Sequence, residues 1–177
     1  TLAHWPLALE TAKCIVGELL DQDIYVQAYV NDTLLVPADC AKAQYYAKFS
    51  RVPFEVAGAG LRQLAEAPHK LLVIDDDPEP IRRHLVTVYG NAIKIVSSSK
   101  GFLEITDPET NKWRALQFLM KRFEVTREEI LTVGDSDNDY EMVAHAGVGV
   151  AMGNAKETIQ KAARIITASN TQSGVSL

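Results

Sequence analysis

The sequence predicts an α/β protein in two parts. Residues 1–106 mix helical stretches with strands joined mostly by hairpins, which suits an α+β sheet covered on one face. From residue 107 onward short apolar strands and helices alternate regularly, the pattern of a parallel, doubly wound sheet. Asp107-Pro108 marks the change of pattern, and the boundary is expected within residues 106–111.

In the first part, Leu9, Ala12, Ile15, Val16 and Leu19 recur at helical spacing and predict a helix over residues 6–20. Residues 24–30 and 33–36 read as a hairpin across the turn-prone pair Asn31-Asp32. Asp39 is placed to cap a helix running to residue 48. A short extended stretch at 53–56 and a short helix at 60–66 follow. Branched apolar residues predict a strand over 70–74, then a helix over 78–89. Strands at 92–97 and 102–106, turning at 98–101, close this part.

In the second part, a helix over 111–123 carries Trp113, Leu116, Met120 and Phe123 on one side. Strands at 130–133, 148–152 and 164–167 then alternate with helices at 138–145 and 155–163. There are no internal repeats and no low-complexity tracts.

Bulk properties exclude several function classes. The 177 residues, 47% hydrophobic and 23% charged, suit one large or two small globular domains. Net charge is −5, with Lys+Arg 18 against Asp+Glu 23, so nothing favours nucleic acid or an anionic membrane. Apolar runs such as 71–74 are far too short to span a bilayer. The opening residues have neither the basic nor the apolar region of a signal peptide, and the chain does not begin with Met. Cys14 and Cys40 lack CxxC spacing and read as free thiols of a reducing cytoplasm.

The sharpest chemical signal is Ile130-Leu-Thr-Val-Gly-Asp-Ser-Asp-Asn-Asp139. Gly134 ends an apolar strand and Asp135 follows at once, where open parallel sheets bind their ligands. Asp139 comes four residues later, in the first turn of the next helix, so the two carboxylates can approach one ion. Mg²⁺ takes oxygen ligands, keeps several waters, and needs only one or two protein carboxylates beside a phosphate oxygen. Backbone N–H groups at the helix start favour an anion nearby. Local explanations compete with this one. Asn138 and Glu141 have capping-box spacing, Asp139 suits the helix dipole, and Asp137 reads as solvated. An EF-hand fails, because Tyr140 stands where Gly is needed and Ala146 where the bidentate Glu belongs.

The run from Gly134 to Met142, then Ala146-Gly-Val-Gly-Val-Ala-Met-Gly-Asn-Ala155, then Ser169-Asn-Thr-Gln-Ser-Gly-Val175, resembles the C-terminal region of haloacid dehalogenase superfamily phosphatases. It looks most like the Cof-type subfamily, IIB. The resemblance implies the C-terminal part of a Rossmann-like core with a parallel sheet over residues 107–177, preceded by an α/β cap domain of C2B type over 1–106. It implies Mg²⁺ as cofactor, Asp135 and Asp139 as the acids of the metal motif, and Asn138 as a holder of substrate phosphate or of the catalytic lysine. Lys112 falls where the family carries the lysine that neutralises nucleophile and phosphoryl group, although Trp113 replaces the usual Gly after it. A cation in a first helical turn is disfavoured by ~0.3–1 kcal/mol, which supports a role for Lys112 against the alternative of a solvated surface lysine.

The family's reaction has an Asp attack phosphorus, and water then hydrolyses the aspartyl-phosphate. That nucleophile lies in an Asp-x-Asp-Gly-Thr motif early in the family's chain, and this sequence has no such motif. The 177 residues are therefore expected to open inside the cap and to be inactive alone. Lys70-Leu-Leu-Val-Ile-Asp-Asp-Asp77 offers Asp-x-Asp behind a strand, but Pro78-Glu79 replaces the Gly-Thr turn. A receiver-like phosphoacceptor around Asp75–Asp77 would need a further Asp after another buried strand, and none fits well. The simpler expectation is that these acids finish a strand and cap the next helix. A small phosphorylated metabolite is the expected partner. The rival of another class is a non-catalytic relative that binds a metabolite or a partner.

Overall fold

The computed structural model describes residues 2–176. The chain divides into two compact units, Thr1–Thr110 and Asn111–Leu177.

The first unit runs α1 (Leu9–Asp21), β1 (Val26–Val30), β2 (Thr33–Val36), α2 (Ala41–Ser50), β3 (Phe54–Val56), β4 (Lys70–Ile74), α3 (Glu79–Tyr89), β5 (Lys94–Ser99) and β6 (Phe102–Thr106). Its six strands form one sheet in the order β3-β2-β1-β4-β6-β5, antiparallel throughout except for the β2–β3 pair. Asn31 and Asp32 turn the first hairpin with φ of 47° and 65°, the left-handed conformation that matches the twist of a tight hairpin.

Side chains alternate across the sheet, and both faces are covered, not one as the sequence suggested. Val26, Ala28, Leu71, Val73, Leu103 and Ile105 pack with Ile15, Val16 and Leu19 of α1 and Ile81 and Leu85 of α3. Tyr25, Leu34, Val36, Leu72, Ile74 and Phe102 pack with Ala43 and Tyr46 of α2 on the other side. The physical reason lies in β4, where four consecutive apolar residues are all buried. A strand with no polar alternation has no face to give to water.

Other local expectations shift. Cys40, not Asp39, occupies the N-cap of α2, and Asp39 Oδ1 instead accepts from Gln44 Nε2 at 2.9 Å. The helix expected at 60–66 is a 3-10 stretch over Gly58–Gln63. β5 starts two residues later than expected, because Gly90–Ala92 form a 3-10 turn after α3.

The second unit runs α4 (Lys112–Phe123), β7 (Leu131–Gly134), α5 (Tyr140–His145), β8 (Val148–Ala151), α6 (Glu157–Ala162) and β9 (Ile165–Ile166). Its strands are parallel in the order β7-β8-β9. Asn111 caps α4, its side-chain oxygen accepting from Arg114 N at 2.8 Å. Val143, Ala151, Met152, Ala155 and Ile159 make the core. Helix α5 lies so close to β8 that a Cβ on Gly149 would stand 1.8 Å from the Val143 carbonyl oxygen. Among the described residues, no helix is long and apolar enough to cross a membrane.

Candidate active site

The polar residues of the second unit gather where β7 ends. A Cβ on Gly134 would lie 2.5 Å from the Cβ of Asp139, so only glycine lets the chain close back on that side chain. Asp137–Asp139 form a 3-10 turn leading into α5. Ser136 caps this turn, whereas the sequence suggested Asn138 paired with Glu141. The box runs two residues earlier, between Ser136 and Asp139. The tight turn places Asp139 at the third position after the cap, the position that reaches back to the cap's N–H.

Asp139 is 3% exposed, which an ionised carboxylate tolerates only with several donors. Its Oδ2 accepts from the N–H groups of Asp135 at 3.0 Å and Ser136 at 3.2 Å, and from Ser136 Oγ at 3.1 Å. Its Oδ1 accepts from Lys112 Nζ at 2.5 Å. Burial works to raise the Asp139 pKa, but the Lys112 bond and the two backbone N–H groups outweigh it and hold the carboxyl below its ordinary value. Lys112, a cation in the first turn of α4, is thus paired with a buried carboxylate.

Asp135 is exposed at the mouth of the sheet. Its Oδ2 accepts from Asn154 Nδ2 at 3.3 Å, and its Oδ1 has no hydrogen-bond partner among the described residues. Asn138 Oδ1 accepts from Ser136 Oγ at 2.6 Å, while its amide nitrogen has no described partner. Hydrogen bonds therefore tie Lys112, at the start of α4, to the loop of Asp135, Asn138 and Asp139, with the remaining ammonium donors, an amide and a carboxylate oxygen available.

A hard divalent cation fits this donor set. The available oxygen of Asp135 lies beyond the strand end, and no group of three or more His, Cys, Asp or Glu among the described residues could hold an ion. One or two protein carboxylates are what Mg²⁺ needs beside water and phosphate oxygens.

Sequence inspection missed Asn154 and Lys156, which follow β8 and reach the same loop. Lys156 pairs with Asp137, and Asn154 Oδ1 accepts from Asn170 N at 2.8 Å. Their signal was positional: both stand just past the carboxyl end of a parallel strand. Trp113, which replaces the family's Gly, tilts against His145 at the end of α5 with ring centroids 5.7 Å apart.

Asp75–Asp77 belong to the first unit. Asp75 Oδ1 accepts from Asp77 N at 3.0 Å, and its Oδ2 lies 3.6 Å from Lys42 Nζ. The first contact is a local turn that finishes β4, and the second reaches α2. The acids do not cap α3 as expected, because Pro78 holds its N-cap with no side-chain cap bond.

A model of the haloacid dehalogenase-like hydrolases matches residues 1–177. The phosphatase YwpJ of Bacillus subtilis is 40% identical over 87 residues, 49% of this chain and 30% of that protein. YwtE of the same organism, a 5-amino-6-(5-phospho-D-ribitylamino)uracil phosphatase, is 26% identical over 94% of this chain and 67% of its own length. The crystal structure of TM0651 from Thermotoga maritima superposes with TM-score 0.83 at 34% identity, over 97% of this chain and 65% of that one. A subclass IIB sugar phosphatase, BT4131, shares the fold with TM-score 0.82 at 20% identity, over 99% of this chain and 66% of that one. The chain thus spans about two thirds of such structures and less of several curated relatives. It belongs to the haloacid dehalogenase-like hydrolase family.

Proposed function

We propose that the second unit furnishes the metal and lysine half of a Mg²⁺-dependent phosphomonoesterase site that acts on a small phosphorylated metabolite. The observation that carries this is the buried Asp139, which ties Lys112 to the same loop that presents Asp135. Asp135 is the metal ligand. Asp139 would support an ion indirectly, by fixing the loop and holding Lys112, since its own oxygens are engaged. When bound, Mg²⁺ would supply charge neutralisation and alignment of phosphoryl oxygens.

This chain's residues do the rest of the positioning. An ammonium has three donors. One from Lys112 goes to Asp139, so the others remain for a phosphoryl oxygen and for the attacking carboxylate. The Asn138 amide adds a neutral donor to the same phosphate. The nucleophilic Asp that the family uses is not among these 177 residues, so the attack needs a carboxylate from outside them. The small-metabolite class is supported by relatives such as YwtE and YitU, each a 5-amino-6-(5-phospho-D-ribitylamino)uracil phosphatase.

The test is steady-state hydrolysis of p-nitrophenyl phosphate by the full-length gene product. Turnover should require Mg²⁺, vanish with EDTA, and fall by about 10²–10³-fold in kcat for Lys112→Ala. Turnover that survives both chelation and the Lys112 substitution rejects the proposal.

A further inference from the structure

The Asp135 carboxylate is exposed, and an exposed side chain on a turn does not by itself hold one rotamer. Its single described hydrogen bond comes from Asn154, on the loop after β8. That amide is fixed at both ends: Nδ2 donates to Asp135 Oδ2 at 3.3 Å, and Oδ1 accepts from the Asn170 N–H at 2.8 Å. Its orientation is settled by chemistry, because an ionised carboxylate can only accept and a backbone N–H can only donate. The loop carrying Asn154 is itself seated. Gly153 N donates to Ala168 O at 3.1 Å, and a Cβ on Gly153 would meet Ser169 N at 2.9 Å. Asn154 therefore stands on two backbone anchors and reaches Asp135 from a third segment.

We propose that Asn154 is a positioning residue for the Asp135 carboxylate. It holds Oδ2, leaves Oδ1 available, and thereby couples the loops after β7, β8 and β9 into one site. This rests on the assignment of Asp135 as metal ligand. Outer partners that orient a ligand usually change metal affinity by about 10–100-fold when removed. Lys156 supplies an internal control. It joins the same two loops through Asp137, a carboxylate given no role at the ion, so its loss loosens the loop without releasing Asp135.

The experiment is calorimetric Mg²⁺ titration of the full-length gene product, repeated for Asn154→Ala, Lys156→Ala and Asp135→Asn, with thermal midpoints measured alongside. The expected order is no detectable binding for D135N, affinity weakened about 10-fold for N154A, and affinity within about 2-fold of the parent for K156A. Should N154A unfold, Asn154→Ser keeps a polar group too short to span both partners and should weaken binding likewise. Parent-like affinity in a folded N154A, with D135N still abolishing binding, overturns the role of Asn154 and leaves the metal assignment standing. Equal weakening by N154A and K156A also overturns it, because general loop stiffness then suffices. Mg²⁺ binding that is indifferent to D135N overturns the metal assignment and this inference together.

Discussion

The first unit builds two apolar cores, one on each face of its sheet, although Phe49, Val56 and Val86 stay exposed. The second has one small core, leaves strand residues at the surface and buries a carboxylate. In the first, Leu71, Leu72 and Leu103 are 0% exposed at the centre of a sheet packed on both faces. In the second, Leu131 of β7 is 62% exposed, Ile166 of β9 is 55% exposed, and α4 has no buried residue. The second unit's best-buried acid, Asp139, instead accepts from four donors. Hydrophobic burial thus specifies the first unit, whereas the second is specified at its functional end by polar contacts. The lesson is that the two units should respond differently to the same class of substitution.

The largest expected difference is in the cores. Leu103→Ala should cost about 2–5 kcal/mol in urea denaturation, through lost burial and the cavity left behind. Leu131→Ala should change stability by no more than about 0.5 kcal/mol. Equal losses at the two positions would erase the contrast.

Next comes the buried acid. Asp139→Ala removes the acceptor of two backbone N–H groups, a hydroxyl and Lys112. The expected cost is about 1–3 kcal/mol, mostly from unsatisfied donors, because Lys112 is half exposed and its ion pair is screened. An unchanged denaturation midpoint would show that the loop holds without it.

Legibility in the sequence followed the same contrast. The elements of both units were readable from apolar periodicity, because a strand or helix with a clear stripe declares its period. The second covered face of the first unit is encoded in Leu71 to Ile74, an unbroken apolar run that leaves neither side of its strand to water, which periodicity alone does not express. At the site, Gly134-Asp135 was legible as a polar pair behind an apolar strand. Asn154 was not, because its partners Asp135 and Asn170 lie 19 residues before it and 16 after it in the chain. Such bridges are decided by how parallel strands stack, which no local pattern encodes.

The smallest expected effect is a pH dependence confined to the first unit. Burial, then the neighbouring His4 ring, hold the His69 pKa below its ordinary value, with Asp32 opposing. A folded state that binds this proton less readily than the unfolded chain loses stability as pH falls below the unfolded value of about 6.5. The thermal midpoint should therefore drop between pH 7.5 and pH 5.5, and His69→Gln should drop less. An identical drop in both proteins would remove His69 as a contributor.

The two acid sets behind apolar strands, one in each unit, give the most direct measurement. Asp135→Asn and Asp75→Asn would be compared in the full-length gene product by Mg²⁺-dependent kcat/KM on p-nitrophenyl phosphate. Asp135→Asn should lower it by at least about 10²-fold, as expected on losing a group that stabilises the transition state. Asp75→Asn should leave it within about 3-fold of the parent. Loss of activity in Asp75→Asn, with Asp135→Asn still active, would contradict the assignment of the site to the second unit.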